Sequence, residues 1–407
     1  MSELVDRLVA NGTLPAVLPL WVWQLGAMVL FGSIVVFLFV LPVAGITTWV
    51  ERRIMARMQS RIGPNRTGPV GFLQWLADGV KNLLKEDIVP AAADARLFRA
   101  APYVVIVGFV ATFAAIPFSS ALIIADLDIG ILYVTAVTAL VVVGILMAGW
   151  SSNNKWALLG GIRSAAQIVS YEIPAGLSIF PAVLLAGTLS MQGIIAAQGP
   201  APWQWFVFDN PFAFCAFVVL FTASLAEGNR TPFDLPEAES ELVAGFATEY
   251  SGMRNLLFFM AEWGNLYVIG AIATTLFLGG WQIPWALEGH PVLRHLLETL
   301  TFVVKASVVG ILLPIWLRWT LPRVRVDQMM VMCWKYLVPI ALVNLLGTAM
   351  WVVAFPNGLL PIRLALLALT VCAAALFVRR VIFHLRNARL GREHLSFNPL
   401  ATARSPG

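Results

Sequence analysis

Residues 129–154 read IGILYVTAVTALVVVGILMAGWSSNN, a run without a single Asp, Glu, Lys or Arg. A helix that crosses a bilayer needs about 20 apolar residues, because it rises about 1.5 Å per residue across roughly 30 Å of hydrocarbon. Three further uncharged runs occupy residues 9–50, 100–125 and 336–362. Since 59% of the 407 residues are hydrophobic and only 12% are charged, the sequence predicts a polytopic helical membrane protein.

We predict an all-α, polytopic transmembrane helical bundle. The nine predicted spans are 25–50, 101–125, 130–152, 164–188, 210–227, 256–280, 299–318, 336–356 and 363–384. The predicted divisions are an external N-terminal segment (1–24), a core membrane domain (25–356), an extra C-terminal transmembrane helix (357–386) and a cytoplasmic tail (387–407). The connections predicted to be cytoplasmic are 51–100, 153–163, 228–255 and 319–335.

The Lys and Arg residues set the expected orientation. In this division 23 of the 27 basic residues fall on the side of the first connection and the tail, and three fall on the opposite side. Basic loops stay preferentially in the cytoplasm, so the amino end is predicted outside and the carboxyl end inside. The net charge of +5 reflects this bias, and nothing in it indicates nucleic-acid binding.

Redox centres held by this chain are not expected. Cys215, Cys333 and Cys372 lie singly in apolar runs and form no C-x-x-C pair. None of the four histidines lies in mid-span, so no pair could ligate a haem within the bilayer, and no glycine-rich nucleotide fingerprint is present. We therefore predict no metal, flavin or haem in this chain, so that any redox cofactor belongs to a partner.

Residues 226–250, AEGNRTPFDLPEAESELVAGFATEY, are the acidic exception in this apolar chain. The stretch holds Glu227, Asp234, Glu237, Glu239, Glu241 and Glu249 against the single base Arg230. An acidic run is usually a solvated loop, but Phe233, Leu235 and Phe246 are interleaved with the acids. We expect the stretch to fold back into the mouth of the bundle and to provide a protonatable path.

Three more charges fall inside predicted spans: Glu172, Glu262 and Lys305. Charges at this depth are costly and usually face a bundle interior or a water-filled cavity. Pro174 cannot donate to the carbonyl of Ser170, which therefore needs another partner. A structural Glu–Lys pair and a proton-handling carboxylate both fit the pattern, and the nearby acidic stretch favours the second.

The first connection combines a basic segment with an amphipathic one. Residues 51–68 read ERRIMARMQSRIGPNRTG, in which Arg53, Arg57 and Arg61 recur every four residues and would form one stripe on a helix continuing the first span. Next, Phe72, Leu76, Val80 and Leu83 line one face of a segment and Gln74, Asp78, Lys81 and Lys85 the other, which predicts a helix in the membrane interface. The basic stripe could anchor the chain to lipid phosphates, or hold a partner protein and face a polar headgroup.

Four segments carry a family resemblance that covers about residues 25–355. They are residues 51–86, residues 163–174 (RSAAQIVSYEIP), residues 226–252 and residues 322–339 (PRVRVDQMMVMCWKYLVP). Together they resemble the quinone-side membrane subunit of bacterial respiratory complex I. This chain differs from the family pattern at two positions. It has Arg53 where the family often has a lysine, and Val326 where the family has a tyrosine. The ninth span extends beyond the family's core of eight strongly tilted helices.

The resemblance implies one component of the proton-pumping NADH:quinone oxidoreductase, without independent activity, in a bacterial cell membrane. Its substrate would be a quinone (menaquinone or ubiquinone), and its partners the iron–sulfur soluble-arm subunits and adjacent membrane subunits. Residues implied to line the quinone tunnel and contact the soluble arm are Glu51, Arg52, Arg53, Arg57, Arg61, Gly63, Pro64 and Asn65. Those implied in an acidic coupling channel are Glu172, Glu227, Asp234, Glu239, Glu241, Glu249 and Glu262, to which we add Glu237, with Arg230 and Lys305 as counter-charges.

Two other hypotheses remain open at this point. The chain could be the anchor component of a membrane-bound hydrogenase or another quinone-linked complex, or a free-standing secondary transporter with acidic coupling sites. Transporters often show paired broken helices in inverted halves, and no such pairing is visible.

Overall fold

The computed structural model of the protein describes residues 19–235, 239–283, 291–356 and 358–394. The chain divides into two units, Met1–Gly358 and Leu359–Gly407. Within the described ranges all regular secondary structure is helical, and eight helical segments are long and apolar enough to cross a membrane. A further apolar helix, Pro211–Glu227, has 17 residues. The prediction of an all-α polytopic bundle is confirmed.

The first helix is interrupted by a π-helical turn. We label as α1 the α-helical segment Leu20–Val35, the π-helical turn Val36–Val40 and the α-helical segment Leu41–Met58. The amphipathic segment of the first connection forms α2 (Gln74–Leu84), as its pattern predicts. The apolar side chains of its predicted face, Phe72, Leu76, Val80 and Leu83, are all exposed, as expected for a helix at a membrane interface.

The other helices of the first unit that bear on the site follow in chain order; the single turn Phe206–Asp209 and the short 3-10 turns are left unlabelled. They are α3 (Ala95–Thr112), α4 (Gly130–Ser151), α5 (Lys155–Ala186), α6 (Met191–Ala197), α7 (Pro211–Glu227), α8 (Glu239–Leu242) and α9 (Gly252–Phe277). Next comes α10, composed of Pro291–Ser307, a π-helical turn Val308–Leu312 and Leu313–Thr320. Then α11 comprises Val326–Val331, a π-helical turn Met332–Leu337 and Val338–Ala354.

Several predicted boundaries differ from the structure, and two of them concern the connections between spans. The predicted connection 153–163 is almost entirely helical, because Asn154 accepts a hydrogen bond from the backbone N–H of Trp156 and so starts α5 at Lys155. The predicted span 101–125 is wrong at its end, since α3 stops at Thr112. Beyond it the hydroxyl of Ser119 accepts from the N–H of Leu122 and closes a turn.

The first unit is held together by close helix contacts and a core rich in aromatic rings. The most extensive helix pair is α3 with α4. Gly270 of α9 and Gly310 of α10 lie face to face, and a side chain at Gly270 would collide with the carbonyl of Ala306. Small residues allow membrane helices to approach this closely. Phe98 stacks on Tyr250 with ring centroids 4.0 Å apart, which ties the end of the acidic stretch to α3.

The second unit contains α12 (Leu360–His394), a helix of 35 residues. It is longer than the predicted span 363–384, and at about 1.5 Å per residue it measures roughly 52 Å. That length exceeds the roughly 30 Å hydrocarbon thickness of a bilayer, so α12 extends beyond a single span.

Candidate functional site

The acidic stretch leaves α7 through a turn that directs Arg230 into the bundle. Asn229 has a left-handed backbone (φ 50°). The N–H of Arg230 binds the carbonyl of Leu225 at 3.2 Å and the N–H of Asn229 binds that of Ala226 at 3.1 Å. This is the Schellman arrangement that closes many helices. The predicted return of the stretch into the bundle is observed at this point, since Phe233, Asp234 and Leu235 are buried.

Arg230 forms a buried ion pair with Glu262. Its Nη2 lies 2.9 Å from Oε1 of Glu262, and the two side chains are only 3% and 14% exposed. The guanidinium also lies 3.9 Å from the ring centroid of Trp263, a cation–π contact. The prediction that Arg230 is a counter-charge therefore gains a specific partner on α9.

Two further ion pairs lie beside this one. Oε1 of Glu51 accepts from the indole N–H of Trp319 and lies 3.2 Å from Nη1 of Arg318. Oδ2 of Asp234 lies 3.4 Å from Nη2 of Arg323. We call this group of three acids and three arginines the charged junction; its members are Glu51, Arg230, Asp234, Glu262, Arg318 and Arg323.

The charged junction holds its carboxylates close enough to influence one another. Burial raises the pKa of Asp234, and the charge of Glu262 raises it further, whereas Arg318, Arg323 and Arg230 lower it. Burial outweighs the arginines, so Asp234 binds a proton more readily than an exposed aspartate. Carboxylates in such surroundings exchange protons as a coupled group.

Gln167 fixes the returning stretch against α5. Its side-chain amide is fully buried and donates to the carbonyls of Ala226 and Phe233, each at 2.7 Å. These two carbonyls stand on either side of Arg230 in the chain. Gln167 therefore holds the backbone that carries Arg230 and Asp234.

A cavity of about 480 Å³ lies among α4, α5, α7 and α9. Its wall is mostly apolar, but the side chains of Glu172, Glu227 and Asn265 line it. Glu172 and Glu227 are near enough for their charges to interact. The wall includes Leu132 and Phe180, which are exposed large side chains, so the cavity opens on the outer surface of the bundle.

A second, smaller cavity shares lining residues with this one and is also lined by Glu262 of the charged junction. It has about 30 Å³ and is lined by Glu227, Asn229, Glu262 and Asn265 among others. A water molecule needs roughly 10–15 Å³ of such volume and polar partners, so water fits. Glu227 and Asn265 border both cavities. Glu172 and Glu227 therefore line the large cavity, and Glu227 and Glu262 line the small one.

Lys305, on α10, lies beside the C-terminal end of α9. Its Nζ donates to the carbonyl oxygens of Leu278 at 2.8 Å and Gly280 at 3.1 Å, and it lies 4.4 Å from the ring centroid of Trp205. The carbonyls at a helix C-terminus carry partial negative charge, which a lysine can satisfy. Lys305 was predicted as a counter-charge for the acids; its contacts in the structure are with backbone carbonyls and an aromatic ring.

The other predicted acids have different surroundings. Glu241 pairs with Arg163 at 2.8 Å and is 51% exposed. Glu249 accepts at 2.6 Å from the amide of Asn154. Both therefore sit by the first turns of α5. Glu237 and the side chain of Glu239 lie outside the described residues.

The residues predicted for the quinone side divide between a buried and an exposed group. Glu51 belongs to the charged junction. Arg52 is exposed and pairs with Asp78 of α2 at 2.6 Å. Nη1 of Arg53 donates to the carbonyl of Pro64 at 3.3 Å, and Gly63 packs against the side chain of Arg53. Arg57 and Asn65 are exposed.

The predicted helical stripe of arginines is wrong at Arg61. The helix ends at Met58, before the Gly63–Pro64 turn, because Ser60 adopts a left-handed backbone (φ 55°). The N–H of Arg61 binds the carbonyl of Ala56 at 2.8 Å, again in the Schellman pattern. Arg61 is therefore an exposed loop residue.

Sequence reasoning missed several residues of the site. Trp263, Trp319 and Asn265 gave no signal, and Arg318 and Arg323 were counted only as positive-inside residues. Gln167 did give a signal in the sequence. It is an amide in an apolar helix, five residues before Glu172, and a buried amide needs a hydrogen-bond partner.

Fold and site together define a multi-pass helical membrane protein with linked buried carboxylates. A family model described as NADH dehydrogenase matches residues 31–349, and the chain belongs to that family. It is 60% identical over 323 residues to the H subunit of the NADH-quinone oxidoreductase of Anaeromyxobacter dehalogenans, covering 76% of this chain and 78% of the relative. It is 51% identical to the H subunit of the Chlorobaculum tepidum enzyme (74% and 86% covered) and 44% identical to subunit 8 of the Rhodothermus marinus enzyme (79% and 97%).

Proposed function

We propose that this chain is the membrane component that couples quinone reduction to proton translocation in an NADH:quinone oxidoreductase. The observation that carries the proposal is the succession of carboxylates: Glu262 belongs to the charged junction and lines the small cavity with Glu227, and Glu227 lines the large cavity with Glu172. Family membership speaks against a free-standing transporter.

The proposed coupling uses the protonation states of the carboxylates. The three arginines of the charged junction stay protonated at all working pH values, so the charge of the group changes only when an acid gains or loses a proton. Reduction of a quinone puts negative charge on its headgroup and raises its demand for protons. Glu51, Asp234 and Glu262 can respond by redistributing protons, because each is paired with an arginine of the same charged junction.

The change would then pass along the cavities. A proton leaving or reaching Glu262 alters the pairing with Arg230. Glu227 can exchange a proton with Glu262 through water in the small cavity, and with Glu172 through the large one. Isolated charges are expensive in a low dielectric, so movement of a proton at one carboxylate favours movement at the next.

The quinone side would be the first connection. The exposed apolar face of α2 and the exposed Arg52, Arg57 and Arg61 suit a joint between lipid and a soluble partner. Glu51 would link that joint to the charged junction. Partners would be the iron–sulfur subunits of the soluble arm and neighbouring membrane subunits, in a bacterial cell membrane with the amino end outside and the tail in the cytoplasm.

The test is the substitution of single carboxylates in membranes that contain the assembled complex. Glu172→Gln and Glu227→Gln keep the size of each side chain and remove its titration. We expect quinone reductase activity and proton pumping to fall together by roughly tenfold or more, because a relay loses one site. Reduction of an artificial acceptor by the soluble arm should be unchanged.

Glu393→Gln, near the end of α12, serves as the matched control and should leave every activity at the parental level. Assembly is checked by the amount of complex recovered per membrane protein. If both Glu172→Gln and Glu227→Gln assemble, turn over and pump like the parent, the coupling proposal is wrong.

A further inference from the structure

A buried junction joins the region of α5 around Pro174 to the π-helical turn of α11. Pro174 cannot donate to the carbonyl of Ser170, so this carbonyl has no helical partner in the middle of α5. The thiol of Cys333, in the π-helical turn Met332–Leu337, donates to it at 3.1 Å. Ser170 and Cys333 are both buried, so water does not take over this role.

A second hydrogen bond crosses the same interface with its donor on the other helix. The hydroxyl of Tyr171 donates to the backbone carbonyl of Met329 at 3.0 Å. Tyr171 and Met329 are also buried, at 0% and 1% exposure. Each helix therefore gives one side-chain donor and one backbone acceptor, and the two bonds together fix both the separation and the rotation of α5 against α11.

Glu172 follows Tyr171 directly on α5. Successive residues of a helix point about 100° apart, which places Tyr171 against α11 while Glu172 lines the large cavity. Among the described residues no protein donor pairs with the carboxylate of Glu172. The position of that carboxylate is therefore set by the backbone of α5, and the backbone at this point is held by the Tyr171 and Cys333 bonds.

We propose that Tyr171 and Cys333 are positioning residues that hold Glu172 in the cavity within reach of Glu227. The inference rests on the proposed function, because the effect of the junction is exerted through Glu172. Loss of either bond would let α5 relax around Pro174 and rotate Glu172 away from the route. A π-helical turn opposite a proline fits this role, since such turns occur frequently at functional sites.

The test uses the assembled complex in membranes. Tyr171→Phe removes one hydroxyl, and Cys333→Ala removes the thiol, whereas Cys333→Ser keeps a donor. We expect Tyr171→Phe and Cys333→Ala each to lower quinone reductase activity and pumping about three- to tenfold at unchanged complex content, and Cys333→Ser to restore at least about half of the parental activity. Tyr336→Phe and Cys215→Ala, at an exposed tyrosine and an exposed cysteine, are the matched controls and should behave like the parent.

Combination with Glu172→Gln separates positioning from general stability. If the junction acts through Glu172, then Tyr171→Phe adds no further loss in the Glu172→Gln background, since coupled residues are non-additive. Where Glu172→Gln itself lowers activity, additive losses, or parental activity of both Tyr171→Phe and Cys333→Ala, would overturn the positioning role.

A structure of the Tyr171→Phe, Cys333→Ala complex by electron cryomicroscopy makes the two proposals separable. If Glu172 is displaced in this structure while the Glu172→Gln and Glu227→Gln variants are both fully active, the positioning role is retained and the coupling function is refuted. An unmoved Glu172 refutes the positioning role whatever the activity of Glu172→Gln.

Discussion

The two ends of α9 bury charge in opposite ways. Nearer its start, Glu262 pairs with the guanidinium of Arg230, inside a junction where acids and arginines from separate segments of the chain meet. Past its end, Lys305 binds the carbonyl oxygens of Leu278 and Gly280. Near the start of α9, charged side chains pair with one another. Past its end, a charged side chain binds the partial negative charges of backbone carbonyls.

This difference indicates which buried charges are candidates for proton transfer. Backbone carbonyls do not titrate, so the partners of Lys305 keep the same partial charge, which suits a structural contact. Carboxylates do titrate, and Glu262 borders a cavity that continues to Glu227. A buried charge is therefore a candidate for proton transfer when its partner can itself change charge.

The largest expected effect comes from breaking the ion pair of Arg230 and Glu262. Arg230→Met keeps most of the length of the side chain and leaves Glu262 buried without its partner. Removal of one member of a buried pair costs about 3–5 kcal/mol, so we expect little assembled complex. The amount of complex in membranes, measured by native gel electrophoresis and mass spectrometry, checks this.

The double variant Arg230→Met, Glu262→Gln should recover much of the assembly, because no uncompensated carboxylate remains at position 262. Coupling activity should stay low in that variant. Normal assembly of Arg230→Met alone would contradict the interpretation that the junction depends on this pair.

A smaller effect is expected at the other end of α9. Lys305→Met removes two charge-assisted hydrogen bonds to carbonyls, each worth about 1.5–3 kcal/mol, and leaves those carbonyls to neighbouring donors or water. We expect a lower apparent Tm of the purified complex, with quinone reductase activity per complex unchanged and its pH profile unshifted.

Lys305→Arg is the conservative control, since a guanidinium can still donate to carbonyls, and it should restore part of the Tm. A changed pH profile in Lys305→Met would place Lys305 in the proton route and remove the distinction between the two ends.

The smallest effect is expected for the exposed pair of Arg163 and Glu241. The predicted proton path included Glu241, but its carboxylate is half exposed beside Arg163, and exposed pairs contribute about 0.2–1 kcal/mol. Arg163→Gln should therefore change the apparent Tm by less than Lys305→Met. Glu241→Gln, compared with Glu172→Gln in the same membranes, tests whether the relay includes the surface: a loss of pumping equal to that of Glu172→Gln would keep Glu241 in the path.

The site residues that the sequence predicted are those whose residue type is unusual in a membrane span. Glu172, Glu262 and Lys305 were recognisable as buried charges because a bilayer span tolerates few of them. Pro174 indicated an unpaired carbonyl at Ser170, since proline has no N–H. The apolar residues of the acidic stretch indicated that it folds inward. Each of these inferences depends on local chemistry, which a single segment contains.

The ion-pair and hydrogen-bond partners of these residues could not be predicted from the sequence. Glu51 pairs with Arg318 and Trp319, far along the chain, and the carbonyl of Ser170 accepts from Cys333 of α11. Lys305 was predicted as a counter-charge for the acids because it lies, like Glu172 and Glu262, within a predicted span. Sequence spacing does not state which helix faces which, and the sequence therefore predicted both Lys305 and Arg230 as counter-charges of the acids. Within the part of the chain that the structure describes, only Arg230 of these two pairs with one of them.

The sequence by itself determined that this protein is a multi-pass helical bundle with an acidic stretch folded against it, because the hydrophobic requirement of a bilayer and the cost of buried charge act on each segment separately. The packing of the helices, by contrast, places Glu172 and Glu227 around one cavity and Glu227 and Glu262 around a second, while Lys305 binds backbone carbonyls. The physical reason is that pairing and cavity formation depend on the rotation and separation of packed helices, which are set by contacts between residues far apart in the chain.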